Sequence, residues 1–532
     1  MGKRRVAVIG LDAADFEFMD PWRKAGDLPV LDSLLGGAAA AGPLASTIPP
    51  VSSSAWATFM TGLNPGAHGL YDFVMEDPKT CRPVLARYDL IRGTRMWEAV
   101  GAAGKKSIVV NLPITWPTRP FPGSMVTGML TPEGVESFTH PPELAADVRA
   151  KFPGYRCDLD VALKSDPEKL RVHLDHLARE NAGVMNMLLD RGDWDLFIGV
   201  FTTTDRVKHL FWPKRETVVR DHYRLVDRLV GEILGRLGPD DLVLLLSDHG
   251  FHSVRVKFYM NRWLQERGWL VTRPRTGGGA SPAPEAGDVQ RGETFFRGAR
   301  GKRGFLGRLL KRGGDEEDLE VDLSKSKAYL ASAWTGGVKI NLKGRSDHGI
   351  VEPGAEYERL RDDIIAGLKE MRFPSEDAPL FDFVGRAEEI YHGPMMAWGP
   401  DVVARSVGFR VTPGKNLQRG RLLRESAHEQ GTHSDTGILG IRGPGVKAGA
   451  RIEGAGIQDI MPTVLWGLGL EIPAGLDGKV LESAFTDEAR KASPVRFAAA
   501  GAAPESAAGD GRAMTNAEEE ELKKTLEGLG YL

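Results

Sequence analysis

Four short β-rich runs recur along the chain: RVAVIGLD at 5–12, KSIVVNLP at 106–113, DLFIGVFTTTD at 195–205 and DLVLLLSDHG at 241–250. Longer stretches of helical character, such as 169–191 and 216–237, lie between them. Strands alternating with helices predict a layered α/β fold built on a mostly parallel sheet. Several of the runs end on polar residues: Asp12, Asp205, and Asp248 with His249. Ligands of open parallel sheets bind at the carboxyl ends of the strands, so these residues are expected to converge on one cleft.

Two segments break the pattern. Residues 272–318 are rich in Gly, Pro and Arg and predict a flexible excursion. Its basic part, Arg291 to Arg312, holds eight Lys/Arg against one acidic residue, with Phe295, Phe296, Phe305 and Leu306 interleaved. That composition suits a solvated loop or a weak contact with a membrane surface or polyanion. Residues 484–513 are rich in Ala, Gly and Ser and lead into EEEELKKTLEGLGYL, which predicts a linker and a short docked terminal helix.

Charge narrows the function classes. With 69 basic and 72 acidic side chains the net charge is −3, so no overall field favours nucleic acid. No stretch reaches the roughly 20 apolar residues of a membrane-spanning helix. The first apolar run, Val6 to Leu11, is cut by Asp12 and is too short for a secretory leader, so the cytoplasm is the expected compartment. Two cysteines, Cys81 and Cys157, supply neither a disulfide framework nor a multi-cysteine zinc module. Any metal must be held by carboxylate and imidazole.

Such groups are available. Asp12 ends a strand without β propensity to explain it, so it caps a helix, takes a hydrogen bond or holds a cation. Asp205 and His209 stand four apart, on one helical face. Asp248 and His249 follow an apolar strand into a turn, and His433 sits in the Gly-rich GTHSDTGILGIRGPGV ahead of a strand at Ile438 to Ile441. Each has a bland reading as a turn, a cap or a loop residue. Jointly, three Asp and three His at strand ends or their following turns make two sites for hard-to-intermediate divalent ions possible. Two such ions about 4 Å apart suit phosphoryl transfer, in which entering and leaving oxygens both gain charge. In TIPPVSSSAWATF, two prolines fix the chain before Ser52, Ser53 and Ser54, and a helix follows from Ala55 to Thr61. A serine there either caps the helix or offers a nucleophile at an anion-attracting end.

These residues resemble the alkaline phosphatase superfamily, in particular its type I phosphodiesterase/nucleotide pyrophosphatase-like branch of predicted phosphohydrolases or phosphomutases. The likeness runs through VIGLDAADF, PPVSSSAWATFMTGLNPGAHG, VNLPITWP, TDRVKH, LLSDHGF, INLKGR, GTHSDTGILGIRGPGV, DIMPTVLWGLGLEIPAGLDG and the terminal GLGYL. It implies an α/β/α core with an inserted cap: core at 1–253 and 431–486, cap at 254–430, linker and terminal helix at 487–532. It places Asp205, His209 and His433 on one metal, and Asp12, Asp248 and His249 on the other. Ser52 falls at the nucleophile and touches the second metal. Zinc is the expected ion, with manganese the alternative.

Departures from the pattern shape the expected activity. The asparagine that cradles a phosphoryl oxygen in nucleotide pyrophosphatases is matched by Phe73, beside Asp72. The C/S-x-P-x-R context of sulfatases is missing from SSSAW. The expected activity is therefore hydrolysis of a phosphate mono- or diester, on a phosphorylated small molecule or lipid headgroup, through phosphorylated Ser52. A phosphomutase and a catalytically silent binding or regulatory member are the alternatives. Asn111, and Lys343 and Arg345 of the cap segment KAYLASAWTGGVKINLKGR, are weaker candidates for substrate contacts. His68 reads as a structural hydrogen-bonder, and His252 and His428 match no ligand position.

Overall fold

The protein is described from a computed structural model, at residues 4–274, 319–332, 336–373, 376–406, 408, 410–415, 417, 422–498 and 514–529. Its centre is a nine-stranded sheet in the order Ala455–Gly456, Ala40–Ala45, Thr436–Arg442, Leu242–Leu246, Val6–Leu11, Leu196–Phe201, Ser107–Val110, Gly123–Val126 and Thr139–His140. The five strands from Leu242–Leu246 to Gly123–Val126 are mutually parallel. Thr436–Arg442 runs antiparallel to both its neighbours, and Thr139–His140 is antiparallel at the far edge.

Apolar residues fill both faces of this sheet, and successive residues serve opposite sides. Val6, Val8, Ile198 and Leu244 pack with helices Ser52–Thr61 and Ile460–Gly467 on one face. Ala7, Ile9, Phe197 and Leu245 pack with Pro167–Leu189 and Glu216–Leu234 on the other. Burial on both faces explains why these strands read as unbroken apolar runs. Gly10 gives the Trp56 ring room, since a methyl group there would stand 2.7 Å from it.

Register sets the rim. Leu11 lies opposite Phe201, and Gly10 opposite Leu246, so the three central strands end level with one another. Asp12, the helix Thr203–Phe211 and the Ser247–His249 turn therefore leave the sheet at one edge.

A second unit follows the rim. Its antiparallel sheet orders Ala328–Ser332, Gly337–Ile340, Val402–Ser406 and Phe381–Arg386, packed with Met260–Glu266 and Ala355–Lys369 around Phe258, Trp263, Ile364 and Leu368. Two long strands, Gly250–Tyr259 and Leu423–Ser434, join it to the core as an antiparallel ribbon whose register shifts between the pairs Val254/Gln430 and Val256/Glu425. The excursion expected at 272–318 opens with a strand instead: Thr272–Pro274 pairs with Leu319–Val321, because alternate residues there can complete a two-stranded ribbon. Residues 275–318, including the basic stretch 291–312, lie outside the described residues. The terminal helix, Asn516–Leu529, seats Leu522 and Leu526 in the core. No described helix is long and apolar enough to cross a membrane.

Candidate metal centre and nucleophile

Each chemical group reaches the rim by a local device. The backbone N–H of Asp12 still donates to Phe201 O at 3.1 Å, so its side chain is the first to leave the sheet. Trp56 Nε1 donates to Asp12 Oδ2 at 3.2 Å and fixes the carboxylate. Ala13 N donates to Asp248 Oδ1 at 3.2 Å and ties that second carboxylate to the first loop. Helix Thr203–Phe211 begins where its strand stops, and Thr204 Oγ1 donates to Asp12 O at 2.7 Å. The next residue is Asp205, and His209 stands one turn further on the same face.

The imidazoles are set by backbone carbonyls. His249 Nδ1 lies 3.0 Å from Gly250 O, and His433 Nδ1 lies 2.9 Å from Pro50 O. A carbonyl only accepts, so both rings carry their proton on Nδ1 and turn the Nε2 lone pair inward. The two rings stack at 3.9 Å, forming a shared wall.

Two clusters result. Asp205, His209 and His433 form one: Asp205 Oδ1 is 3.2 Å from His209 Nε2 and 3.6 Å from His433 Nε2, and the two nitrogens are 2.9 Å apart. Asp12, Asp248 and His249 form the other, with His249 Nε2 3.6 Å from Asp12 Oδ1 and 3.2 Å from Asp248 Oδ2. All six are buried except His209, which is partly exposed.

Burial dominates the electrostatics of both clusters. Burial, reinforced by the charge of Asp205, pushes Asp12 up to about 8. Burial and the Asp12 charge push Asp248 well above the usual carboxylate range. Burial also tends to raise Asp205, but His209, His433 and Arg206 outweigh it and hold that carboxyl well below its ordinary value. Burial lowers His249 to about 4 and His433 well below the usual imidazole value, leaving both neutral. Asp205 Oδ1 and Asp248 Oδ2 are buried oxygens with no hydrogen-bond partner among the described residues. Unpartnered buried carboxylate oxygens beside inward lone pairs fit divalent cations bound through oxygen and nitrogen.

Ser52 opens the helix Ser52–Thr61, with its Oγ 3.1 Å from His249 Nε2 and 3.5 Å from Asp12 Oδ1. None of the three serines caps that helix. Val51 occupies the cap position with no side-chain bond, because the helix starts one residue earlier than a serine cap requires. The Oγ atoms of Ser53 and Ser54 are buried without a partner among the described residues.

The weaker substrate candidates are engaged elsewhere. Asn111 is fully buried and donates to Val200 O at 2.9 Å, so its amide serves the sheet. Arg345 grips Asp401 with two bonds of 2.7 Å, and Lys343 pairs with Glu352 at the surface. His68 is buried between Thr58 Oγ1 and Leu70 N. His252 faces Glu17, and the side chain of His428 lies outside the described residues. Phe73 is a core residue, whereas Asp72 accepts from Ser332 of the second unit. Sequence reasoning missed Trp56, Asp15 and Lys208. Trp56 had a spacing signal, four residues after Ser52, whereas the burial of Asp15 and Lys208 has no mark in one dimension.

The family model for type I phosphodiesterase / nucleotide pyrophosphatase matches residues 6–370. The chain belongs to that family. It is a phosphoric ester hydrolase of the alkaline phosphatase superfamily. Among solved structures, phosphonoacetate hydrolase from Sinorhizobium meliloti 1021, in complex with phosphonoformate, is similar over 88% of this chain and 95% of that one, at 15% identity and TM-score 0.56. Human ectonucleotide pyrophosphatase / phosphodiesterase 5 is similar over 89% and 97%, at 12% identity and TM-score 0.51. Likeness at these identities establishes a common fold. No curated protein matches.

Proposed function

We propose that this enzyme hydrolyses a phosphate mono- or diester, on a phosphorylated small molecule or lipid headgroup, through phosphorylated Ser52. The observation that carries the reading is the Ser52 hydroxyl, buried at the first turn of a helix and within 3.5 Å of both His249 Nε2 and Asp12 Oδ1. Asp205, His209 and His433 would hold one divalent ion, and Asp12, Asp248 and His249 the other. Zinc suits the nitrogen-rich first set, and manganese is the alternative. When bound, the ions would favour the serine alkoxide and offset negative charge at the phosphoryl group.

The rest is the work of the chain. The first intrahelical N–H of the helix is that of Ala55, bonded to Val51 O, so the N–H groups of Ser52, Ser53 and Ser54 are left for a phosphate to accept from. The Ser52 Oγ–P bond forms as the ester O–P bond breaks, and the alcohol departs with a proton. Water then cleaves phosphoserine, releasing phosphate or a phosphomonoester and restoring the hydroxyl. Two in-line displacements give net retention at phosphorus.

Acid quenching during turnover of a 32P-labelled substrate should trap label on Ser52. A Ser52→Ala protein should keep its fold and lose turnover of p-nitrophenyl mono- and diesters. Activity retained by that variant with metal supplied, or inversion at a chiral phosphorus, would remove Ser52 from the role.

A further inference from the structure

Behind the two clusters lies a buried ion pair, Lys208 Nζ to Asp15 Oδ2 at 3.5 Å, with the lysine side chain fully shielded from solvent. Its bonds reach three of the segments around it. Asp15 stands three residues past Asp12; its Oδ1 caps helix Phe16–Lys24 through Phe18 N at 2.8 Å, and its Oδ2 accepts from Phe251 N at 3.1 Å. Phe251 is two residues beyond His249 and pairs across the ribbon with His433. Lys208 lies between Asp205 and His209 on one helix and donates to Ala13 O, while Ala13 N donates to Asp248 Oδ1. The rings of Phe18 and Phe251 sit 4.9 and 4.8 Å from the ammonium and exclude water from it.

We infer that Lys208 and Asp15 are positioning residues that keep the two ligand clusters in register, the ammonium serving as a fixed cation behind three buried carboxylates. The inference rests on the metal-centre reading above. Stability is a weak rationale for such a pair, because removing two charges from water offsets most of their attraction, and apolar replacements are often as stable. Its distinguishing property is connectivity: one pair bonds the Asp12 loop, the helix of Asp205 and His209, and the strand between His249 and His433.

The test is a Mn2+ titration by calorimetry of the wild-type protein, Lys208→Met, Asp15→Asn and the double variant, with melting temperature read alongside. Each single variant leaves one buried charge alone and should melt lower. The double variant removes both charges and should recover most of that loss, yet still bind Mn2+ about 10–100-fold more weakly and lose kcat with little change in KM. A double variant that binds two Mn2+ as tightly as the wild type overturns the inference and leaves the metal centre standing. A wild-type protein that binds neither Mn2+ nor Zn2+ overturns both. Should the double variant fail to fold, Asp15→Asn, whose amide oxygen can still cap the helix, answers the same titration.

Discussion

Two buried aspartates, one in each unit, are treated in opposite ways. Asp401 of the second unit receives Arg345 on both oxygens at 2.7 Å, the Tyr357 hydroxyl at 2.7 Å and Ile340 N at 2.6 Å. Asp248 of the core is fully buried, accepts one backbone N–H at 3.2 Å, and leaves its other oxygen without a hydrogen bond among the described residues. A carboxylate with every lone pair engaged holds a domain together. One buried with a free oxygen, next to another carboxylate and an imidazole, has the form of an unfinished coordination shell, as the proposed metal centre requires. The same residue type thus separates scaffold from chemistry by how completely it is satisfied.

Substitutions at the two sites should therefore have opposite signatures. Asp248→Asn is expected to lower kcat on the order of 10³-fold and to cost one equivalent of metal by elemental analysis. The same change should raise the melting temperature of the metal-stripped protein above pH 7, because it removes a charge that burial disfavours. Two ions retained in that variant would refute its place in the shell. Arg345→Gln should do the reverse: a loss of about 3–5 kcal/mol in chemical denaturation, since Asp401 is left charged and unpaired, with KM for p-nitrophenyl phosphate unchanged. A raised KM at unaltered stability would return Arg345 to substrate binding.

A milder contrast comes from pH. The folded protein holds a proton on Asp12 up to about 8, whereas the unfolded chain releases it near 3.8, so this carboxyl costs the metal-free protein stability as pH rises across that interval. His249, lowered from 6.5 to about 4, costs stability only as pH falls below 6.5. Between 6.5 and 8 the His249 effect has vanished, while that of Asp12 persists and the raised Asp248 acts in the same direction. Calorimetric melting of EDTA-treated protein should drop over that range, and added Mn2+ should flatten the slope. The smallest expected effect is that of Trp56→Phe, which removes one N–H from Asp12 and should weaken metal binding about 10-fold by titration.

The parts legible in the sequence were those with a one-dimensional signature. Val6–Leu11, Leu196–Phe201 and Leu242–Leu246 announce themselves because both faces are buried, and Asp12, Asp205, Asp248 and His249 because they end or follow apolar runs. Ala40–Ala45 was invisible: AAGPLA has little β propensity, yet it sits inside the sheet, where a methyl on Gly42 would stand 1.9 Å from Ile452 O. Tertiary approach, not propensity, selects its small residues. Lys208 escaped notice because a lysine on an amphipathic helix reads as solvated, and only the neighbouring Phe18 and Phe251 reveal its burial. Arg345 looked available for substrate because Asp401, 56 positions later, cannot be matched to it along a linear chain.

Strand Thr436–Arg442 has a temporal implication. It lies between Ala40–Ala45 and Leu242–Leu246, and His433 stands three residues before it. During translation, some 390 residues emerge after Ala45 before that partner strand leaves the ribosome. Until then the sheet has a gap and the proposed site of Asp205 and His209 lacks its third ligand. On the proposed metal reading, the nascent polypeptide is expected to stay inert toward phosphate esters until Thr436–Arg442 slots into the sheet.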